Sequence, residues 1–336
     1  MKRIIWQPET KILIDSFKKR SVLDDSRGGH TYEYHAAVAL SDSYHVIMDE
    51  SAPRLPNENF LQYWYRLRTS SIDGDIFIMA PPIINLGKRR KDAVEIGMLH
   101  HIYITEKMKT LKGKVSLKVL KRRLRGLDMV VTVSKFWADF LDGIGCREVR
   151  VIYNAFNPEE FVFGTEEVKN FLEKNGIPND RPVVYIGYAD RVKGVIDVFN
   201  ALKDEEVTLV MTGPVTEEIN IPVHWLYLNR KDYLLLLNAC DVVVNMSKIE
   251  EGWSRVAHEA LLCRTPVIGS GRGGMKELLE GGGQMICASI SDLRDMVREV
   301  LGNKECYVEK GFNYAKGFTH EIFVRKWREL LREFAP

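Results

Sequence analysis

Long hydrophobic runs are missing from this chain of 336 residues. The longest, such as Tyr233 to Leu237 and Val242 to Val244, fall far short of the roughly 20 residues that a membrane-spanning helix needs. The N-terminal stretch MKRIIWQPETKILIDSF carries acidic and polar residues where a signal peptide needs an apolar core. Paired cysteines are missing as well. Cys146, Cys240, Cys263, Cys287 and Cys306 make an odd set with no C-x-x-C spacing and mostly apolar neighbours. They read as reduced core thiols of a cytosolic protein, not as a disulfide frame or metal ligands.

What is present is an ordinary globular composition, 45% hydrophobic and 28% charged, on a chain whose length suits two domains of about 150 residues each. Mostly apolar, strand-like runs at Lys11–Ile14, Tyr44–Met48, Ile76–Met79 and Ala93–Leu99 alternate with helix-like segments near Tyr32–Leu40 and Phe60–Arg68. The second half repeats the alternation, with strands expected at Val183–Ile186, Val207–Met211, Trp225–Leu228, Val242–Asn245 and Pro266–Ile268. Strand–helix alternation predicts an α/β chain of two doubly wound, parallel-sheet, Rossmann-like domains. Asn157-Pro158 marks the linker. Ligands of such sheets bind beyond the carboxyl ends of the strands, so two facing domains would give a cleft.

The densest chemistry lies in EEGWSRVAHEALLCRTPVIGSGRGGMKELL. Glu251-Gly252 ends a loop after the run Asp241 to Met246, and Ser254 opens a helical pattern with Val256, Ala260 and Leu261. Glu251 is thus expected at a helix mouth. Glu259 is expected about two turns further along on the same side. Two such carboxylates can accept hydrogen bonds from separate sets of sugar hydroxyls, while unpaired amides of the helix start bind phosphates between them. A plainer reading makes the acids mere partners of the helix dipole. Downstream, the short strand Thr265 to Ile268 feeds Gly269-Ser270-Gly271-Arg272-Gly273-Gly274 and then helix-like Met275 to Glu280, a second place for amides to face an anion.

This stretch resembles the donor-site signature of family 4 glycosyltransferases of the GT-B fold, E-G-F-G-(x)4-E-A-x-x-x-G-x-P-V-(I/V). Glu251, Gly252, Glu259, Ala260, Pro266, Val267 and Ile268 match; Trp253 replaces Phe, Ser254 replaces Gly, and Arg264 stands where glycine is usual. The resemblance implies that Glu251 reads the donor sugar and Glu259 the ribose. Glu250 is a rival for the first role without the family spacing. Val183 to Gly187 followed by Lys193-Gly194 is similar to the family's strand–G-R-x4-K-G–helix element, in which Lys193 would hold the departing diphosphate, a task for a compact positive charge. Tyr188 occupies the place of the family arginine, and Arg191 is the nearby substitute. Ser134, Val151-Ile152, Asn154 and Phe161 match the segment that closes the first domain, while Ala155 and Asn157 depart from it. The resemblance covers most of residues 128 to 320. It implies an acceptor domain of residues 1–157 plus 320–336, with the last helical run, Glu321 to Phe334, returning to it, and a donor domain of residues 158–319.

In the first half, His100 and His101 follow a strand pattern, and the family carries a histidine near here that faces the reacting sugar; His100 is preferred. Gly28 and Gly29, between Arg27 and a helix, would let backbone approach a phosphate or the acceptor. Net charge is only +2, yet 13 basic residues lie between Lys88 and Arg125 against Asp92, Glu95 and Glu106. In a helix expected at 114–127, Lys114, Lys118, Lys121, Arg122 and Arg125 form one stripe and Leu117, Leu120, Leu124 and Leu127 another. The stripe is either a solvated face or a contact for an anionic lipid surface or phosphorylated acceptor. Few aromatics interleave it, which disfavours nucleic acid.

Two motifs are set aside. Gly269, Gly271 and Gly274, with Asp292 beyond, satisfy the G-x-G-x-x-G of a dehydrogenase, but that motif usually opens its domain. Asp73-Gly74-Asp75 looks like a metal-binding D-x-D, but it precedes its strand instead of ending one. The expectation is therefore a cytosolic, peripherally membrane-associated glycosyltransferase without metal or other cofactor. It would move sugar from a UDP- or GDP-sugar to a sugar, lipid-linked or other hydroxyl with retention, as the resemblance implies. Phosphate contacts would come from Gly187, Lys193, Arg191, Ser254, Gly273 and Gly274. A catalytically inactive scaffold and a sugar-nucleotide epimerase of the same fold are the alternatives.

Overall fold

The computed structural model describes residues 2–21, 28–102, 110–178, 180–215 and 219–334. The chain divides into two compact units, Met1–Ala155 with His320–Pro336, and Phe156–Thr319. The boundary falls at Ala155/Phe156, two residues before the position read from Asn157-Pro158. Phe156 is committed to the second unit: its N–H donates to the Phe318 carbonyl at 3.0 Å, and its ring packs on Phe161 and His258.

In the first unit β1 (Arg3–Gln7), β2 (His45–Met48), β3 (Ile76–Met79), β4 (Val94–Leu99), β5 (Met129–Thr132) and β6 (Val149–Val151) form a parallel sheet in the order β2-β1-β3-β4-β5-β6. Ile4, Ile5 and Trp6 are fully buried, as expected of a central parallel strand covered on both faces. The strand expected at Lys11–Ile14 is instead the first turn of helix α1 (Lys11–Lys19), with Leu13, Ile14 and Ser16 on its inner face. A lysine and three apolar residues are too few to separate the two periods, and the first strand, Arg3–Gln7, was hidden in a polar-flanked N-terminus. Helix α2 (Gly28–Ser41) completes that side together with the last helix of the chain, His320–Arg332, whose Trp327 packs on Trp6 and Tyr32. On the other side lie α3 (Phe60–Thr69), α4 (Pro81–Leu86), α5 (Leu111–Leu124) and α6 (Lys135–Gly143), which share one core with Ile5, Phe77 and Met79. The Asp73-Gly74-Asp75 run is structural: Asp73 pairs with Arg3, and Asp75 accepts the Arg3 N–H at 2.7 Å.

The second unit repeats the plan. Its strands β7 (Val183–Tyr188), β8 (Thr208–Thr212), β9 (His224–Leu226), β10 (Val242–Asn245), β11 (Val267–Gly269) and β12 (Met285–Ile286) take the parallel order β12-β11-β10-β7-β8-β9. The connecting helices are α7 (Thr165–Lys174), α8 (Val195–Leu202), α9 (Arg230–Ala239), α10 (Arg255–Leu262), α11 (Gly274–Gly281), α12 (Leu293–Gly302) and α13 (Lys304–Ala315); the returning helix His320–Arg332 is α14. From β7 the chain winds one way through β8 and β9, then reverses to β10, β11 and β12. The reversal lies between β7 and β10, so the loops after these two strands diverge there and leave a crevice at their carboxyl ends.

Candidate functional site

The loops that meet at this reversal carry the signature residues. After β7, Asp190 caps a short 3-10 turn, Arg191–Lys193, by accepting the Val192 N–H. Gly194 then starts α8 with φ 74°; a Cβ there would lie 2.3 Å from the Met246 carbonyl oxygen, so the β7 and β10 loops touch through bare backbone. After β10, Lys193 Nζ donates to Glu251 Oε1 at 2.6 Å, with both side chains largely shielded from solvent. The Glu251 backbone bridges to Gly273: Gly274 N–H donates to the Glu251 carbonyl at 2.9 Å and Glu251 N–H to the Arg272 carbonyl at 3.3 Å. Lys193, Glu251, Gly273 and Gly274 are therefore one constellation at the starts of α8 and α11. Glu250 is turned to Arg272, an exposed partner at 3.8 Å.

The two acids are not two turns apart on one helix. Glu251 is held by the loop, and α10 begins only at Arg255, so Glu259 lies little more than one turn inside it. Glu259 is buried, and its Oε1 accepts from Arg255 at 3.2 Å and Arg230 at 3.0 Å. Burial lowers the Arg255 pKa, opposed by Glu259. Tyr233 stands beside this group with its hydroxyl buried and, among the described residues, unbonded, and Arg230 lies over its ring at 5.9 Å. Arg255 was readable from its i, i+4 spacing to Glu259. Arg230 and Tyr233, on α9, carried no signal.

Both glycines that the chain replaces have kept their backbone. Ser254 has φ 68° and Arg264 φ 59°, the left-handed region that favours glycine. A side chain there costs about 1–2 kcal/mol, and each is offset locally. Asn245 Nδ2 donates to Ser254 Oγ at 2.9 Å, and the Arg264 guanidinium stacks 3.9 Å from the Phe312 ring. Tyr188 offers no cation in the place of the usual arginine; its half-exposed ring covers Gly213, where a Cβ would come within 2.9 Å. Gly187 bends the end of β7 with φ 114°.

Trp253, in the place of Phe, has a partner that sequence reading missed. Its indole N–H donates to His258 Nδ1 at 2.8 Å, and His258 Nε2 lies 3.0 Å from the Ala315 carbonyl. Because a carbonyl only accepts, the imidazole is neutral with its proton on Nε2. Burial pushes its pKa down to about 3, with the Ala315 carbonyl opposing and Arg255 assisting. An unfolded histidine titrates near 6.5. Between these values the unfolded chain binds the extra proton, so this contribution to stability is whole above about pH 6.5 and shrinks as pH falls towards 3. Thermal unfolding between pH 5 and 7.5 is expected to lose up to about 1.4 kcal/mol per pH unit of its slope in His258→Gln, with the share of buried His100 remaining. Equal slopes for both proteins would refute it.

His100 belongs to the first unit. It follows β4, packs edge-on to Tyr32 at 4.8 Å, and its sealed Nε2 has no hydrogen-bond partner among the described residues. Burial first, then His101 and His30, lower its pKa to about 3. Gly28 and Gly29 do not precede a helix but form the first turn of α2, and residues 22–27 before them lie outside the described residues. A Cβ on Gly29 would sit 3.3 Å from His100 Cδ2, so these sequence-predicted residues meet. The basic stretch 88–125 is not one patch. Arg89 and Arg90 pair with buried Glu95, and Arg123 donates to the carbonyls of Ile84 and Gly87. Lys107 and Lys109 lie outside the described residues.

A two-unit GT-B architecture with a lysine, an acid and glycine-lined helix starts at the reversal of the second sheet points to a class, the GT-B glycosyltransferases. Residues 181–303 match the family described as Glycosyl transferases group 1, and the chain is a glycosyltransferase of GT-B fold that resembles the family 4 type. It is 26% identical over 253 residues to an uncharacterised glycosyltransferase of Methanocaldococcus jannaschii, covering 67% of this chain and 68% of that one. It is 25% identical over 192 residues to a trehalose synthase of Thermococcus litoralis, spanning 48% of this chain and 46% of the relative. Among solved structures, a sucrose-phosphate synthase from Thermosynechococcus elongatus superposes with TM-score 0.78 at 15% identity, covering 99% of each chain. Anabaena HepE, solved with UDP-glucose, does so with TM-score 0.73 at 17% identity, covering 99% of this chain and 100% of that one. At these identities the superpositions speak for the fold.

Proposed function

We propose that the protein transfers a sugar from a UDP- or GDP-sugar to an acceptor hydroxyl, with retention and without a metal. The Lys193–Glu251 contact carries this reading. In the resting site the ammonium is held by a carboxylate. A pyrophosphate entering between the starts of α8 and α11 offers it a stronger anionic partner, and frees Glu251 to accept from hydroxyls of the transferred sugar. As the glycosidic bond breaks, charge grows on the departing diphosphate. Lys193, with Arg191 on the same turn and the amides around Ser254, Gly273 and Gly274, is placed to stabilise that charge without metal help. Glu259, on the buried side, would accept from the ribose hydroxyls. His100 and the Gly28-Gly29 turn of the first unit would serve the acceptor. An anionic membrane surface would meet the outer lysines of the 88–125 region, bringing a lipid-linked acceptor within reach. The likeness to HepE, whose structure contains UDP-glucose, favours a uridine donor.

A thermal-shift panel of UDP-, GDP- and ADP-sugars tests the donor. A donor at 100 times its Kd raises stability by about 2.7 kcal/mol, and a flat response to all of them would refute the reading. Turnover of the donor with no acceptor present would point to the epimerase. Glu259→Ala is expected to weaken nucleotide binding about tenfold or more, since a hydrogen bond to a charged group is worth about 1.5–3 kcal/mol. Unchanged affinity by calorimetry would remove its ribose role.

A further inference from the structure

Large apolar side chains that remain exposed are concentrated on one layer of the first unit. Helix α3 presents Phe60, Leu61, Trp64 and Tyr65, of which Leu61 is 72% and Tyr65 65% exposed. These positions, spaced one and four apart, share a helix face, while Tyr63 and Leu67 point into the core. Helix α5 is apolar on two opposite faces. Leu120 and Leu124 are buried, yet Leu111, Val115 and Val119 repeat every fourth residue on the outside, Leu111 being 79% exposed. Both helices pack on α4 over the same face of the sheet, as right-handed crossovers from β2 onward require.

On α3 and α5 the exposed charges are basic, while the neighbouring α6 adds exposed Asp139 and Asp142. Helix α5 contains no acidic residue, and Lys114, Lys118, Arg122 and Arg125 border its outer apolar stripe. On α3, Arg68 lies 4.8 Å over the Trp64 ring, and the nearby acid Glu58 is neutralised by Arg66 at 2.7 Å. A protein partner would favour a less lysine-rich face, because lysine is depleted in protein–protein interfaces relative to the rest of the surface. Trp and Tyr beside Arg and Lys match what gathers at the boundary of lipid headgroups and acyl chains.

We infer that the first unit docks on an anionic bilayer through the outer faces of α3 and α5, with Phe60, Leu61, Trp64 and Tyr65 inserted at the headgroup–acyl boundary. This rests on the membrane-surface reading above and goes beyond it: attachment is by insertion as well as by charge, and α3, outside the basic stretch, is the inserting element. The acceptor hydroxyl would then be borne by a lipid.

The test is sedimentation of the full chain with vesicles of phosphatidylcholine and phosphatidylglycerol in equal parts, at low and high salt. Wild type is expected to bind, with a blue shift of tryptophan emission that Trp64→Phe abolishes. Leu61→Ser with Tyr65→Ser, both at exposed positions, is expected to lower the partition coefficient about tenfold at either salt concentration. Lys118→Gln with Arg122→Gln should lower it roughly thirtyfold at low salt and little at high salt. Unchanged thermal midpoints and donor-induced shifts will show that all variants are folded. An α3 variant that sediments like wild type overturns insertion and leaves the charge-based attachment standing. Wild type that fails to sediment overturns both, while the donor shift continues to report on the transferase reading alone. A concentration-dependent dimer that the α3 variant abolishes, with no vesicle binding, would assign the face to a second copy of the chain.

Discussion

Replacement of Lys193 by alanine is expected to lower kcat by roughly a hundredfold or more and to change the donor KM far less. The reason is where the charge is needed. In the resting site the Nζ is already bound to Glu251 at 2.6 Å. Binding the donor ground state therefore exchanges one anionic partner for another, with modest net gain. On the proposed reading the leaving diphosphate carries more negative charge in the transition state, and only there would the ammonium contribute fully. Loss of a preorganised charge partner of this kind typically costs two to three orders of magnitude. Arginine at 193 should not restore the rate, since the planar guanidinium cannot take the compact position that the ammonium holds against Glu251. The measurement is steady-state kinetics with the donor identified by thermal shift. A KM effect with unchanged kcat would mean that Lys193 only binds. Wild-type rates would remove it from the mechanism.

The fold was readable because both sheets are parallel. Val183–Ile186, Val242–Asn245 and Ile76–Met79 are buried on both faces, so they stand out as apolar runs between helices. What escaped was local ambiguity, as at Lys11–Ile14, where helix and strand periods agree over four residues. In the site, the meeting of Lys193, Glu251, Gly273 and Gly274 was legible because spacing reports backbone geometry: a backbone bridge joins Glu251 to Gly273, and the turn after β7 brings the Lys193 side chain to Glu251. The fate of the missing glycines was legible only afterwards. Ser254 and Arg264 look like losses in the sequence, yet both hold left-handed φ, so the pattern there is one of conformation that side chains can satisfy at a cost. Partners reached across the fold, such as Arg230 to Glu259 or Trp253 to His258, depend on packing that no spacing encodes.

Gly273 allows no such compromise, and Gly273→Ala is expected to be the most damaging single-methyl change in the second unit. Its φ of 63° and ψ of −140° lie close to a region reserved for glycine. The added Cβ would stand 2.3 Å from the Glu251 oxygen and 2.6 Å from its nitrogen, both backbone atoms that no rotamer can move aside. The bridge that holds Glu251 against Lys193 must therefore open, losing hydrogen bonds worth about 1 kcal/mol each on top of about 1–3 kcal/mol of strain. Together these amount to about 3 kcal/mol or more, which lowers the Tm of a unit of this size by about 6–12 °C. Donor binding should be lost with it, because the Gly274 amide and the Glu251 carboxylate move together. Gly302→Ala is the matched control: it ends α12 in the same unit and its Cβ meets nothing within 4 Å, so stability should hold or rise slightly. If the two alanine variants melt alike and respond alike to the donor, the backbone bridge does not position Glu251.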